Sequence, residues 1–233
     1  MSTNCHAYFL GLCLLFMALP IQAQVNEDKT GAWYMYFWNT QIKESRIGFQ
    51  GDVQYRNWNL AGDLEQLLLR GGITYTPTNA NLRLTLGYAH ITSGVYGDSN
   101  DTSSESRVYQ EALLPHKLTD RFHLTHRFRY EQRWVENQDF RTRFRYNIFL
   151  NIPLNQSNLT KNAVYLAFYN ELFINGERNI GNDRRVEIFD QNRFYSGLGY
   201  GLTDKLRLQA GYMKQTTDLL SKGQLQLSLH HTW

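Results

Sequence analysis

The chain has 233 residues, with 24 basic and 21 acidic side chains, a formal net charge of +3 and only two cysteines. That balance gives no basis for nucleic-acid binding, which draws on a strong excess of basic residues. The length suits one domain, and the mean hydropathy is negative although the chain holds 15 Tyr, 13 Phe and 5 Trp.

Residues 1–23 read as a secretory signal peptide. Ala7 to Leu19 is an unbroken apolar or small stretch, Pro20 follows, and Ala23 supplies a small-residue exit, which places cleavage before Gln24. The run is short for a spanning helix, and Leu12 before Cys13 does not suit a lipoprotein signal. Both cysteines, Cys5 and Cys13, fall in this leader, so the mature chain 24–233 has no disulfide, thiolate nucleophile or cysteine-held metal.

Beyond the leader no apolar run approaches the ~18 residues of a spanning helix; the longest is Ala32 to Trp38. Period-two alternation takes its place. It is weak at 32–41, then clear from Arg46 to Arg56, where Ile47, Phe49, Gly51, Val53 and Tyr55 alternate with Gly48, Gln50, Asp52 and Gln54. Weaker runs follow at 64–75, 82–91 and 107–116. From Phe122 to Trp134, Phe128, Tyr130 and Trp134 share one face, and Arg127, Arg129, Glu131 and Arg133 share the other. From Arg141 to Ile152, Phe144, Tyr146, Ile148 and Leu150 oppose Arg141, Arg143, Arg145 and Asn147. A helix would scatter these arginines around its axis, whereas a strand gathers them on one side. Further runs lie at 163–174, 192–202, 206–215 and 224–233.

Many of these runs have the length a tilted strand needs to cross a bilayer, about 9–11 residues. Short polar connections near 76–81, 117–121 and 203–205, with a somewhat longer turn at Asn155–Asn162, alternate with longer ones at 92–106 and 175–190, the usual contrast between periplasmic turns and external loops. The expected fold is all-β: a transmembrane antiparallel up-and-down β-barrel of about 10–12 strands, filling residues 24–233. Eleven runs is an odd number where bacterial barrels are normally even, which leaves Trp33–Asn39 as the least certain crossing. Tryptophans near run ends (Trp33, Trp38, Trp58, Trp134, Trp233) fit interfacial girdles. The competing arrangement is a soluble secreted barrel or sandwich, with the apolar face inside and the arginines in water.

Leu225, Leu227, Leu229, His231 and Trp233 share one face of the last run, and the chain stops on an aromatic residue. This resembles the C-terminal assembly signal of outer-membrane barrels. It implies two partners: the barrel-insertion machinery and outer-membrane lipid, in a Gram-negative bacterium. Several stretches also resemble an uncharacterised bacterial outer-membrane family, DUF2490. They are Gly31-Ala32-Trp33-Tyr34, Val53-Gln54-Tyr55-Arg56-Asn57, Asp63 to Arg70, His126 to Arg133, Phe189 to Arg193, and Leu198-Gly199-Tyr200. The resemblance implies an outer-membrane barrel and carries no activity or catalytic residues.

The richest constellation is charged. Arg127, Arg129, Glu131 and Arg133 rise along one run; Arg141, Arg143 and Arg145 descend the next. Arg107, Glu111, Glu171 and Arg193 are candidates to join them from neighbouring strands. Enclosed charges must be paired or watered. The row therefore reads either as an anion-favouring lumen or as a salt-bridged plug in a barrel too narrow to conduct. Neither reading makes the protein an enzyme or calls for a cofactor or metal. Three further readings are open: a lipid-modifying hydrolase with an outer-wall His90–Ser93 pair or His126, a cation held by Asp98, Asp101 and Glu105, and partner binding through the two long loops.

Overall fold

A computed structural model describes residues 30–233. The expected leader and its cleavage point lie outside the described residues. The eleven strands are β1 (Gly31–Gln41), β2 (Ile47–Asn57), β3 (Leu64–Tyr75), β4 (Arg83–Gly94), β5 (Thr102–Lys117), β6 (His123–Val135), β7 (Arg141–Pro153), β8 (Val164–Asn175), β9 (Phe189–Gly201), β10 (Leu206–Thr216) and β11 (Ser221–Thr232). Each alternating run is one strand, and no helix occurs among the described residues. β5, β9 and β11 start three or more residues earlier than alternation indicates. β5 begins at Thr102, because Thr102-Ser103-Ser104 continues the ladder with β4 while offering no apolar partner residues to the pattern.

Neighbours in sequence pair antiparallel all the way round, and β1 closes the barrel against β11. That last pair is parallel, from Gly31↔Gln224 to Asn39↔Thr232. Eleven strands fall within the expected 10–12, and the antiparallel expectation holds for every pair but this one. With an odd count the first and last strands of a meander run the same way, so the closing pair has to be parallel. Trp33–Asn39 is a full crossing, paired on both sides.

The two faces are chemically opposite. Phe49, Val53, Tyr55, Leu86, Tyr88, Phe128, Phe144, Leu198, Leu225 and Leu227 point outward and are exposed. Asp52, Glu105, Arg107, Arg129, Glu131, Arg143, Arg145 and Glu171 point inward and are buried. A soluble barrel would have these faces exchanged.

Apolar groups share the interior. Trp33, Tyr165, Ala167, Tyr195 and Met213 pack together on the β1 and β8–β10 side, and Leu68, Ala89, Ile91 and Tyr109 pack on the β3–β5 side. Trp33 is therefore a lumen residue and not part of a girdle, a correction to the expectation above. Its run, Ala32 to Trp38, is apolar on both faces, so period two had nothing to report. Inward glycines make room for these rings. A Cβ on Gly199 would lie 2.0 Å from the Tyr165 ring, and one on Gly87 would lie 2.2 Å from the Tyr109 ring. Each tyrosine covers bare backbone that any larger residue would deny it.

The connections 95–101 and 176–188 lie at the same end of the barrel as Gly31, and the C-terminus lies at the other. Only 176–188 stays long: β4 and β5 run into the expected 92–106 loop and leave it seven residues, no more than 76–82 and fewer than 154–163 at the opposite end, so the expected alternation of short and long connections does not hold.

Candidate functional site

The charged row forms on the β5–β8 wall, where strand register sets cations face to face. Arg107 pairs with Arg133 and Glu111 with Arg129. Across the next ladder Arg129 pairs with Arg145, Glu131 with Arg143 and Arg133 with Arg141. Like charges directly opposed repel, so the carboxylates between them determine whether the wall holds.

Glu131, only 1% exposed, is the hub. Its Oε2 accepts from Arg143 Nη2 at 2.7 Å and Nε at 2.9 Å, and its Oε1 accepts from Arg145 Nη1 at 2.6 Å. Arg107 Nη1 and Arg129 Nη1 each stand 3.7 Å from one of its oxygens. Glu171 receives Arg127 Nη2 at 2.6 Å and Arg145 Nε at 2.9 Å. Glu105 is shared by Arg107 and Arg133, each donating through Nε and Nη2. Glu111 accepts from Arg129 and, across the barrel, from Gln50 Nε2 of β2 at 2.7 Å. Planar forked guanidinium suits such sharing, since one group can serve two carboxylates. Arg143 does so, reaching Asp190 of β9 through Nη1 at 2.9 Å.

All eleven predicted network residues point into the lumen, but the structure does not join them all. Arg141 makes no hydrogen bond or ion pair among the described residues, and its Nε is buried without a partner. Arg193 makes no ion pair there either; its Nε donates to Gln215 Oε1 at 2.9 Å. Instead its guanidinium lies 4.8 Å from the centroids of both the Trp33 and Phe173 rings. Arg145 also covers Phe173, at 4.4 Å, and Arg56 covers Trp33 at 3.7 Å. The negative faces of buried aromatic rings thus partner cations that the carboxylates leave over.

Sequence reasoning missed this second half of the site. Arg70 holds Asp52 through Nε and Nη2, each at 2.9 Å, and Trp33 Nε1 donates to Glu65 Oε2 at 3.0 Å. The signal for Asp52 and Arg56 was present, since both sit on the polar face of the second run. Nothing local ties them to β9, which reaches them only through closure.

Two cavities flank the charged layer. The larger, about 350 Å³, lies toward the C-terminal end among Met35, Phe37, Phe149, Gln209 and His230. The smaller, about 250 Å³, lies toward the long-loop end among Glu105, Arg133, Asp190 and Gln215. Both are bordered by Arg56, Arg70, Arg145 and Arg193. The boundary between them is a set of four guanidiniums.

The family described as a protein of unknown function (DUF2490) matches residues 30–226, nearly the whole barrel. The chain belongs to the DUF2490 family. It is also similar to an uncharacterised protein of Methylorubrum extorquens, 26% identical over 178 residues, which cover 76% of this chain and 75% of that relative. No solved structure matches. The DUF2490 match embraces every charged lumen residue named above and stops within β11, seven residues before Trp233.

The remaining candidates separate on geometry. His90 is exposed on the outer wall of this DUF2490 barrel, while Ser93 faces inward and accepts from Gln66 Nε2 at 3.2 Å. Residues three apart on a strand occupy opposite faces, so the proposed pair is not assembled. His126 faces outward and meets the Tyr146 hydroxyl at 2.8 Å, with no serine hydroxyl hydrogen-bonded to it. Glu105 leaves the Asp98–Asp101 loop for the lumen, where its carboxylate is committed to Arg107 and Arg133. The expected cation triad therefore comes apart. In the C-terminal strand, Leu225 and Leu227 are exposed on the outer wall. His231 bonds the Tyr36 hydroxyl at 3.0 Å and stacks on Trp233, and the Trp233 N–H donates to Asn39 O at 2.9 Å.

Proposed function

We propose that this DUF2490 protein is an exported barrel of the Gram-negative outer membrane, forming a narrow, anion-biased passage. One observation carries the reading: an apolar outer wall encloses two cavities whose common boundary is Arg56, Arg70, Arg145 and Arg193. An exposed apolar girdle of this extent is costly in water and favourable in lipid. A constriction edged by guanidiniums lowers the barrier for anions and raises it for cations. The carboxylates lock most lumen arginines in place and keep the passage narrow, so conductance is small. The signal peptide and the Leu225–Trp233 face fit delivery by the secretion route and the barrel-insertion machinery.

The test has two parts. Expressed with its leader in a Gram-negative host, the protein is expected in the outer-membrane fraction, migrating faster on a gel before boiling than after. Recovery as a soluble periplasmic protein would sink the membrane reading. In planar bilayers with a potassium chloride gradient, small steps with a reversal potential on the chloride side are expected, and Arg193→Glu should move that potential toward the potassium side. A folded barrel that gives no steps would make the charged layer a plug and the protein a structural element.

A further inference from the structure

Of the four arginines at the boundary, Arg56 and Arg193 differ from the other two. Arg70 and Arg145 are held by Asp52, Glu131 and Glu171. Arg56 and Arg193 make no ion pair among the described residues, yet both are buried. They converge on one indole, 3.7 and 4.8 Å from the Trp33 centroid. The nearby Glu65 is already engaged by the Trp33 indole N–H and by Gln224 Nε2. Arg56 spends its donors on neutral amide oxygens, those of Gln54 and Gln66. Arg193 spends only Nε, and its two terminal nitrogens have no hydrogen-bond partner among the described residues.

Glu171 stands opposite Arg193 in the β8–β9 register, but its carboxylate is bound by Arg127 and Arg145, so two cations lie buried side by side with no carboxylate of their own in contact, which costs folding energy. A guanidinium with both terminal nitrogens unengaged presents the fork that takes two oxygens of a carboxylate or phosphate. The site borders both cavities, and the larger one offers apolar side chains, Met35, Phe149, Ala167 and Tyr195, beside polar ones such as Tyr169 and Gln226. At about 350 Å³ that cavity is in the range of small-molecule sites.

We infer that Arg56 and Arg193 form a binding site for a small organic anion, with its oxyanion head between the two guanidiniums and its apolar body against Met35, Phe149 and Tyr195. This rests on the reading of the lumen as an anion passage and gives that passage its substrate class. The cation–π contacts to Trp33 and Phe173 hold the arginines ready while the site is empty. The bound anion then supplies the missing charge, and the apolar side chains distinguish it from chloride or inorganic phosphate.

The test is calorimetric titration of the full-length mature barrel in detergent, with benzoate as probe and inorganic phosphate and chloride as comparisons. Saturable benzoate binding is expected, with phosphate weaker and chloride weaker still. Loss of one forked contact in Arg193→Gln should weaken benzoate about tenfold or more, and Arg178→Gln, at an exposed pair, should leave it unchanged. Thermal unfolding gives a second readout. Without benzoate, Arg193→Gln should unfold at the same or a higher temperature than the parent, since it removes a buried charge that has no ion-pair partner in contact, and it should lose the stabilisation that benzoate gives the parent. Equal benzoate affinity in parent and variant would overturn the site, as would phosphate binding as tightly as benzoate. A variant that is less stable yet still stabilised by benzoate would make the arginine a packing residue and also overturn it. Anion-selective conductance without saturable binding would leave the passage standing and the site refuted. Binding without conductance would do the reverse.

Discussion

At the scale of single residues, the lumen is governed by a shortage of carboxylates. Glu131 is the clearest case, because four arginines lie within 3.7 Å of it, and only Arg107 and Arg129 have a closer acid, in Glu105 and Glu111. Replacing it by Gln keeps its shape but leaves those cations facing one another. The expected cost is about 3–5 kcal/mol, as when one partner of a buried pair is removed, read from the urea midpoint of the refolded barrel. Arg178→Ala removes an ion pair with Glu187 that is more than half exposed, and should change stability by no more than about 1 kcal/mol. Comparable effects from the two would mean that the lumen is wet enough to screen its charges. The Arg127–Arg145 row was legible as a single face because charged residues there alternate with a second set that is mostly aromatic. The stacking of Arg56 and Arg193 on Trp33 was not, because a π face leaves no signature in charge spacing.

Among the elements, the paired strands explain how a narrow barrel accommodates both tyrosine rings and ion pairs. β8 brings Tyr165 opposite Gly199 of β9, and the ring lies where a Cβ would be. Gly199→Val should displace the ring and cost about 1–3 kcal/mol, the usual penalty for overpacking. Adding Tyr165→Ala should recover part of that loss, a coupling measurable by a double-mutant cycle. Simple additivity would show that the two residues do not compete for the same space. Each of the eleven runs is a strand, Trp33–Asn39 being the least certain of them from alternation alone, and the largest error is at the polar end Thr102–Ser104, where alternation has no apolar member to mark it. The hydrolase pair is not assembled for an equally local reason: His90 and Ser93 are three positions apart, and an odd offset on a strand puts two side chains on opposite faces.

For the molecule as a whole, orientation of the two faces determines the environment the barrel needs. Leu227 is exposed near the middle of β11. In a bilayer, Leu227→Arg should cost about 2–4 kcal/mol, the penalty for a basic residue near the midplane of a barrel's lipid face. Leu219→Arg, in the exposed turn before β11, should be close to neutral. The measurement is folding into lipid vesicles across a urea series; equal effects at both positions would place Leu227 in water. Closure also has a global consequence. The parallel β1–β11 pair puts Gly31 at the long-loop end and the C-terminus at the other, an arrangement that follows from the odd strand count alone.

The sequence by itself determined what is local: eleven alternating runs, the long connection before β9, and the collection of Arg127 to Arg145 on one face. Those features follow from backbone geometry, because side chains two apart on a strand share a face whatever surrounds them. Tertiary structure alone decided which face encloses the lumen, since alternation reads the same inside out. It also decided the contacts made by closure, Gln50 with Glu111, Trp33 with Glu65 and Arg193 over Trp33. These join strands that are neighbours neither in sequence nor in the sheet, or that meet only at the seam. Curving eleven strands into one tube is what brings their inward side chains within reach, so the arginine boundary belongs to the closed barrel and to no segment of it.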